Sequence, residues 1–545
     1  MFGSGLEGLI VQTASVAIMF QSSGLERSIQ MRHRPNILHF FVDQQRFDTI
    51  GALGNPIIKT PNLDRLCETG VAFTNAFSPS PVCVAARCSM IYGQYPMNIS
   101  CYSNAPEQES NKETFMAALT DVGYRTHGIG KCHFTPDPYA LRGFQSREVQ
   151  EEMGARSLEN EPYLKELHDR GYKHILEPFG MRGEMYYIPQ PSQLPADVHP
   201  SQWVGDRSIA FIKEQGNSDD PWYLFSSFIH PHPPFTPPSP WYKLYRAPQM
   251  PLPNVPADFE SLQTYVNRCQ NRYKYRDQGI DQNLIRCMKA FYYACISFVD
   301  YQIGRVLDAL RSTGQLDNTL IVFTSDHGEL LGDYNCFGKR SMHDGSVRIP
   351  MILSMPGRFE GGEVVDTPVS LIDLAPTFLN IAGTSISTHK LDGVDLADVM
   401  SEASKREMVF AQHSYSEANV LNGVVPIRAE YWENPDLWRA AMSQYMAVTR
   451  DWKYFYSAPD NKEFLFDKIT DPNETRNKAG NPFCADILAS ARKSLIAHLK
   501  SGGEVAGIDG DTWRRFDPPE LPDNPDAGLL VQDVHTPWAG TVPGY

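Results

Sequence analysis

The 10 cysteines of this 545-residue chain include no C-x-x-C pair, which excludes a zinc ribbon and a thioredoxin-like redox site. Positive charge is scarce. With 49 Lys and Arg against 64 Asp and Glu, the formal net charge is −15, so a broad nucleic-acid surface is excluded. An anionic substrate is not, because a few local cations or a metal can override the global sign. No apolar run reaches the roughly 20 residues that span a bilayer. The run from Leu9 to Phe20 is short and is broken by Gln12, Thr13 and Ser15. It also lacks the basic flank of a signal peptide, Glu7 being the only charge before it. A phosphate-binding P-loop around Gly130-Lys131 is excluded, since Arg125 stands where the first glycine is needed and Cys132 follows the lysine. There is no internal repeat.

What is present suits a large globular enzyme. Hydrophobic residues make up 42% and charged residues 21%, enough for an ordinary core. The length exceeds one compact core and suggests a large and a smaller domain. Short apolar runs end in polar residues: 36–43 in Asp43-Gln44, 222–229 before His230 and His232, and 319–326 in Asp326-His327. Such runs read as buried parallel strands. Helical patterns, as over 282–310, alternate with them. This indicates an α/β fold, a large mostly parallel sheet sandwiched by helices. Ligands then bind beyond the strands' carboxyl ends. From about residue 405 the pattern becomes antiparallel, with strands near 444–449 and 452–456 and a helix over 485–500.

The expected organisation is a disordered leader over 1–33, with Met31 a candidate start, a catalytic α/β domain over 34–405 and a small C-terminal antiparallel-sheet (α+β) domain over 406–500. A Pro- and Gly-rich tail over 501–545 is expected to lie extended on the surface or on a neighbouring subunit, which suits a homo-oligomer. Cysteines such as Cys287 and Cys295 lie in apolar runs and read as buried free thiols. A reducing, cytoplasmic compartment is favoured, with a periplasmic or secreted location as the alternative.

The segment Pro81-Val-Cys83-Val-Ala-Ala-Arg87-Cys-Ser-Met-Ile-Tyr-Gly93 resembles the signature of the formylglycine-dependent sulfatase family. That family belongs to the alkaline-phosphatase-like superfamily. Arg34 to Leu38 leading into Asp43-Gln44, Lys59 to Leu66, Thr324 to Glu329, Ser370 to Thr377 and Phe464 to Glu474 are similar to further family segments, in the family's order. The resemblance covers roughly residues 34–480 and is nearest the choline-sulfatase and phosphonate-monoester-hydrolase branch, because His327 stands where many sulfatases have Asn. One departure is Ala85 in place of the usual proline, with Ala86 in place of the common serine.

The resemblance implies that a maturation enzyme oxidises Cys83 to formylglycine, whose hydrate attacks the ester and later expels the inorganic product. An ordinary alcohol cannot leave that second way. It implies one divalent cation on Asp43, Gln44, Asp326, His327 and the modified Cys83. Oxygen ligands suit Ca²⁺ or Mg²⁺, and the imidazole admits Mn²⁺. Lys131 and Lys339 would hold ester oxygens, His133 would act on the second hydroxyl, and His232 would serve the leaving oxygen. His230 is the weaker candidate. Arg87 would stabilise the nucleophile's oxygens and its loop, and Asn104 would stand near the ester. The implied substrate is a small-molecule or carbohydrate sulfate monoester. A phosphonate monoester or phosphodiester on the same apparatus is the alternative, and a non-catalytic binding protein is a third. Tyr102, Trp203, Trp241, Tyr242 and Trp432 are candidate pocket aromatics, though aromatics serve cores equally well.

Overall fold

The computed structural model describes residues 34–104, 112–151, 158–182, 185–216, 218–274, 281–414 and 434–520. Its centre is β1 (Asn36–Val42), whose residues are all buried. Side chains alternate across a strand. Ile37 and Phe41 therefore enter one hydrophobic cluster and Leu38, Phe40 and Val42 enter another. A strand covered on both faces has no place for a polar stripe, which explains its nearly continuous apolar run.

Eight strands form the main sheet in the order β10 (Glu363–Val365), β2 (Val71–Phe73), β9 (Met351–Ser354), β7 (Thr319–Ser325), β1, β6 (Trp222–Phe228), β4 (Arg125–Gly130) and β5 (Ser146–Val149). Only β9 runs against the others. Six helices cover this sheet: α1 (Pro61–Thr69), α2 (Cys83–Tyr92), α3 (Phe115–Asp121), α4 (Pro200–Gln215), α6 (Gln282–Ser312) and α7 (Leu374–Ala382). A further helix, α5 (Tyr265–Lys274), precedes α6. Residues of α2, α3 and α7 join the Ile37 cluster; residues of α1, α4 and α6 join the Leu38 cluster. The sheet is thus sandwiched by helices, as the alternating pattern predicts. A short sheet of β11 (Val369–Ser370), β3 (Ala76–Phe77) and β8 (Arg348–Ile349) lies beside it.

Strand register positions the site. Val42 pairs with Phe228 on one side and with Ser325 on the other. The three central strands therefore end level, and the residues that follow them leave the sheet at one edge. β4 ends level with them through Gly130 and Ser227. Gly130 has φ +88, and a Cβ there would lie 1.9 Å from Ser227 O, so only glycine permits this approach.

The smaller sheet is antiparallel, in the order β12 (Val409–Ser414), β13 (Ser443–Val448), β14 (Trp452–Ser457), β15 (Lys462–Asp467). It is covered on both faces. Tyr445, Tyr454, Tyr456 and Leu465 pack on helix α8 (Ala485–Ser501). Ala411, Met446, Phe455 and Phe464 pack on Phe77, Leu330, Met342 and Val347 of the large domain. Residues 502–520 continue into the hairpin β16 (Ile508–Asp509) and β17 (Thr512–Trp513), where Trp513 stacks on Tyr456 at 4.4 Å. The expected leader over 1–33, the end of the tail over 521–545 and Trp432 lie outside the described residues. None of the ten cysteines is in a disulfide. Among the described residues no helix is long and apolar enough to cross a membrane.

Candidate active site

The level strand ends bring together residues far apart in sequence. Asp43 and Gln44 follow β1, Asp326 and His327 follow β7, and Lys131 follows β4. Cys83 opens α2, where the helix dipole favours negative charge. No side chain of Val82 or Cys83 caps this helix; Asn104 Oδ1 does so from outside, accepting the Val84 N–H at 3.1 Å. Asn104 therefore sets the first turn beneath Cys83. Ala85 and Ala86, the departures from the signature, face the core and are fully buried.

Donor atoms of Asp43, Cys83, Asp326 and His327 lie within 4.8 Å of one another, all buried. Lys339 Nζ is 2.7 Å from Cys83 Sγ, and His327 Nε2 is 3.3 Å from it. Burial and Asp43 push the Cys83 thiol up, but Lys339, Lys131 and His327 outweigh them and hold it well below its ordinary range. Arg87 spans both carboxylates, its Nε 2.9 Å from Asp326 Oδ2 and its Nη2 3.1 Å from Asp43 Oδ2. It lies 4.8 Å over the Phe41 ring and donates to Lys131 O at 2.7 Å. Lys131 Nζ reaches Asp43 Oδ2 at 2.7 Å. Burial alone would raise both acids. Lys131, His232, Lys339 and Arg87 instead hold Asp43 well below the usual carboxylate range. Asp326 is raised by burial and by the Asp43 charge, which outweigh His327 and Arg87.

The residues present fit a divalent cation. His327 Nδ1 lies 3.0 Å from Gly328 O. A carbonyl only accepts, so Nδ1 carries the proton and the Nε2 lone pair faces Cys83, Asp43 and Asp326. The Gln44 amide is also fixed by a hydrogen bond. Its Nε2 donates to Glu329, and its Oε1 is buried without a hydrogen-bond partner. Glu329 is itself fixed by Tyr187 OH at 2.8 Å and by the N–H groups of Leu331 and Gly338. Two carboxylates, an amide oxygen and an imidazole nitrogen form an oxygen-rich set with one nitrogen, suited to Ca²⁺, Mg²⁺ or Mn²⁺.

The remaining candidates separate. His133 has φ +56, and its Nδ1 is buried without a hydrogen-bond partner. Its backbone N–H and that of Cys132 both donate to Glu151 Oε1, at 2.8 and 2.9 Å, which fixes the turn after Lys131. His232 Nδ1 donates to Pro233 O at 2.7 Å, and its ring meets Tyr186 edge-on. His230 is structural: it contacts Ser201 and Thr236 and packs on His199. Trp203, a candidate pocket aromatic, lies in the core instead, its indole N–H on Glu166. Trp241 packs on Phe298 and Tyr301, Tyr242 on Phe291, and Tyr102 under Arg439. Sequence reasoning did not single out Glu329, Glu151 or Tyr187. Glu329 had a signal, three residues after Asp326, whereas Tyr187 had none.

This charged cluster at the carboxyl edge of an eight-stranded, mostly parallel sheet defines the alkaline-phosphatase-like class of proteins. Residues 35–384 match the Sulfatase family, so the chain belongs to the sulfatase family. Residues 332–501 match the family described as N-sulphoglucosamine sulphohydrolase, C-terminal. Among relatives, an arylsulfatase of Clostridium perfringens (strain 13 / Type A) is 29% identical, covering 88% of this chain and 97% of that protein. A choline-sulfatase of Rhizobium meliloti (strain 1021) is 30% identical, covering 82% and 83%. Among solved structures, the phosphonate monoester hydrolase SpPMH from Silicibacter pomeroyi aligns with a TM-score of 0.72 at 25% identity, covering 88% of this chain and 99% of its own.

Proposed function

We propose that the protein hydrolyses sulfate monoesters, using a formylglycine derived from Cys83 and one divalent cation held by Asp43, Gln44, Asp326, His327 and the modified Cys83. The observation that carries this reading is the position of Cys83 Sγ, 2.7 Å from Lys339 Nζ and 3.3 Å from His327 Nε2 at the start of α2. When bound, the cation would supply Lewis-acid stabilisation of an ester oxygen and of the nucleophile. Arg87 pairs with both carboxylates and holds the Lys131 carbonyl, fixing the loop of the nucleophile. Lys131 and Lys339 supply positive charge for the non-bridging oxygens. His133 would act on the second hydroxyl of the nucleophile. His232, with its Nδ1–H engaged by Pro233 O, would give a proton from Nε2 to the leaving oxygen in its doubly protonated form.

Sulfate monoesters are favoured over diesters by the wall facing Cys83. The Lys131 side chain is 0% exposed, and Lys339 is buried at 4%. Three unsubstituted oxygens suit such a wall, whereas a second ester group would have to displace an ammonium. The competing reading, a phosphonate monoester or phosphodiester hydrolase, draws support from the likeness to SpPMH. A maturation enzyme, a sulfated small molecule or sugar as substrate, and a cytoplasmic setting belong to the same proposal. The test is peptide mass spectrometry of the Cys83 peptide together with rates on an aryl sulfate and its matched phosphodiester. Unmodified cysteine in an active preparation would sink the nucleophile; faster diester turnover would install the competing reading.

A further inference from the structure

Lys339 differs from the other charged groups of the site in what carries it. Asp43, Asp326 and Lys131 follow core strands, and Arg87 lies inside α2. Lys339 sits on an irregular turn between Gly338, at φ +83, and Arg340, at φ +69. A long lysine side chain has no fixed direction of its own, so its 2.7 Å contact with Cys83 Sγ depends on where this turn is held.

Side chains from two different elements hold its consecutive carbonyls. Gln270, on α5, donates from Nε2 to Lys339 O. Gln444, on β13 of the small sheet, donates from Nε2 to Arg340 O at 3.1 Å. The Arg340 N–H donates to Pro81 O at 3.0 Å, two residues before Cys83. Both glutamines are wholly buried. The neighbouring strand β12 grips the other side of the nucleophile: Gln412 N–H donates to Pro79 O at 2.9 Å, and Ser414 N–H donates to Tyr102 O at 3.1 Å, next to the segment bearing Asn104.

We infer that Gln444 and Gln270 are positioning residues that hold Lys339 on the nucleophile, so the small sheet is a working part of the active site. The inference rests on Lys339 acting at Cys83, as proposed above. It does not depend on which ester is the substrate.

Additivity decides it. A residue acting through Lys339 loses its effect once Lys339 is gone, whereas one that only stabilises the fold does not. Matured wild type, Gln444→Leu, Lys339→Ala and the double variant would be compared on 4-nitrophenyl sulfate and on a 4-nitrophenyl phosphonate monoester. Gln444→Leu is expected to lower kcat about tenfold, the size of one misplaced charged contact, with KM shifting less. In the Lys339→Ala background the same change should cost less than about twofold. Gln444→His, whose ring N–H can reach the same carbonyl, should recover most of the rate. If Gln444→Leu fails to fold, the cycle with Gln270→Leu decides in its place. An equal loss in both backgrounds, or an unchanged kcat in Gln444→Leu, overturns the inference. A preference for the phosphonate would overturn the sulfate reading alone. As a readout independent of turnover, amide exchange over residues 338–341 should quicken in Gln444→Leu; unchanged exchange would count against the inference.

Discussion

Two clusters of buried charge in this chain do opposite things. At the carboxyl edge of the large sheet, Arg87 and Lys131 pair with Asp43 and Asp326, and Lys339 turns to Cys83. Between the large domain and the small sheet, Asp344 takes Lys453 at 2.6 Å, Arg348 at 3.2 Å and also Lys468, while Glu474 takes Lys453 and accepts the Asp344 N–H at 2.8 Å. In the second cluster the charges are ion-paired with one another, Glu474 Oε1 with both Lys453 and Lys468. The first leaves the Gln44 amide oxygen without a hydrogen-bond partner and sets His327 Nε2 3.3 Å from the Cys83 thiol. Burying ions costs several kcal/mol each unless partners offset it. A closed cluster spends its partners on docking two domains, whereas an open one leaves part of its field for a cation and an anionic ester.

The largest expected effect separates the open cluster from everything else. Cys83→Ala should reduce turnover by at least about a thousandfold, with thermal unfolding little changed. Cys88→Ala, in the same helix but facing the core, should be far milder. Comparable losses from both would erase the distinction.

Next comes a matched pair. Asp326→Ala removes a proposed metal ligand and one of the two carboxylate partners of Arg87. Metal content and activity should fall together, and stability should drop by about 3–5 kcal/mol because a buried guanidinium loses a partner. Lys453→Met strips the closed cluster instead. A stability loss of similar size is expected, with kcat of the folded fraction within about twofold of wild type. Metal analysis, urea unfolding and kcat on the same samples check both. A large kcat loss in Lys453→Met would show that the closed cluster takes part in turnover.

A smaller effect sharpens the substrate side. Lys131→Ala should harm the sulfate reaction more than the phosphodiester reaction and narrow their ratio by about ten- to a hundredfold, the worth of one charge-assisted hydrogen bond in a dry site. An unchanged ratio would remove Lys131 as the source of preference.

The smallest effect is in pH dependence. Burial would raise Asp344, but Lys453, Lys468 and Arg348 outweigh it and hold it well below the usual carboxylate range. A depressed carboxyl contributes stability that is present above its unfolded value of about 4 and is lost as pH falls below that. Glu474 is raised, since burial and Asp344 outweigh Lys453 and Lys468; its effect runs the other way, with stability present at low pH and lost as pH rises through its raised value. Thermal unfolding between pH 5 and 3 should fall steeply in wild type. In Asp344→Asn it should start lower and fall less. Equal slopes would remove Asp344 from the acid limb.

Much of the open cluster was legible before any coordinates. Asp43-Gln44 and Asp326-His327 end apolar runs, and a run buried on both faces must release its first polar residues at the strand's end. The Cys83, Arg87 and Gly93 spacing also survives as a helix start, a turn later, and a cap: Gly93 has φ +62. Local spacing could not reveal that Glu329 turns the Gln44 amide, that Asn104 caps α2, or that Gln444 holds the turn bearing Lys339. Each of these contacts joins segments separated by 285, 20 and 104 positions. Trp203 marks the opposite failure, since an aromatic that looks free to line a pocket was claimed by the core.

The sequence alone determined the alternation of buried strands and helices, the family, and the residue types that can hold a cation, because these follow from periodicity and from short motifs. Tertiary structure decided which nitrogen of His327 faces the site, where Arg87 spends its charge, and that a glutamine of the small sheet sits behind Lys339. Those outcomes depend on strand register and domain docking, in which a shift of one residue sends a side chain to the opposite face.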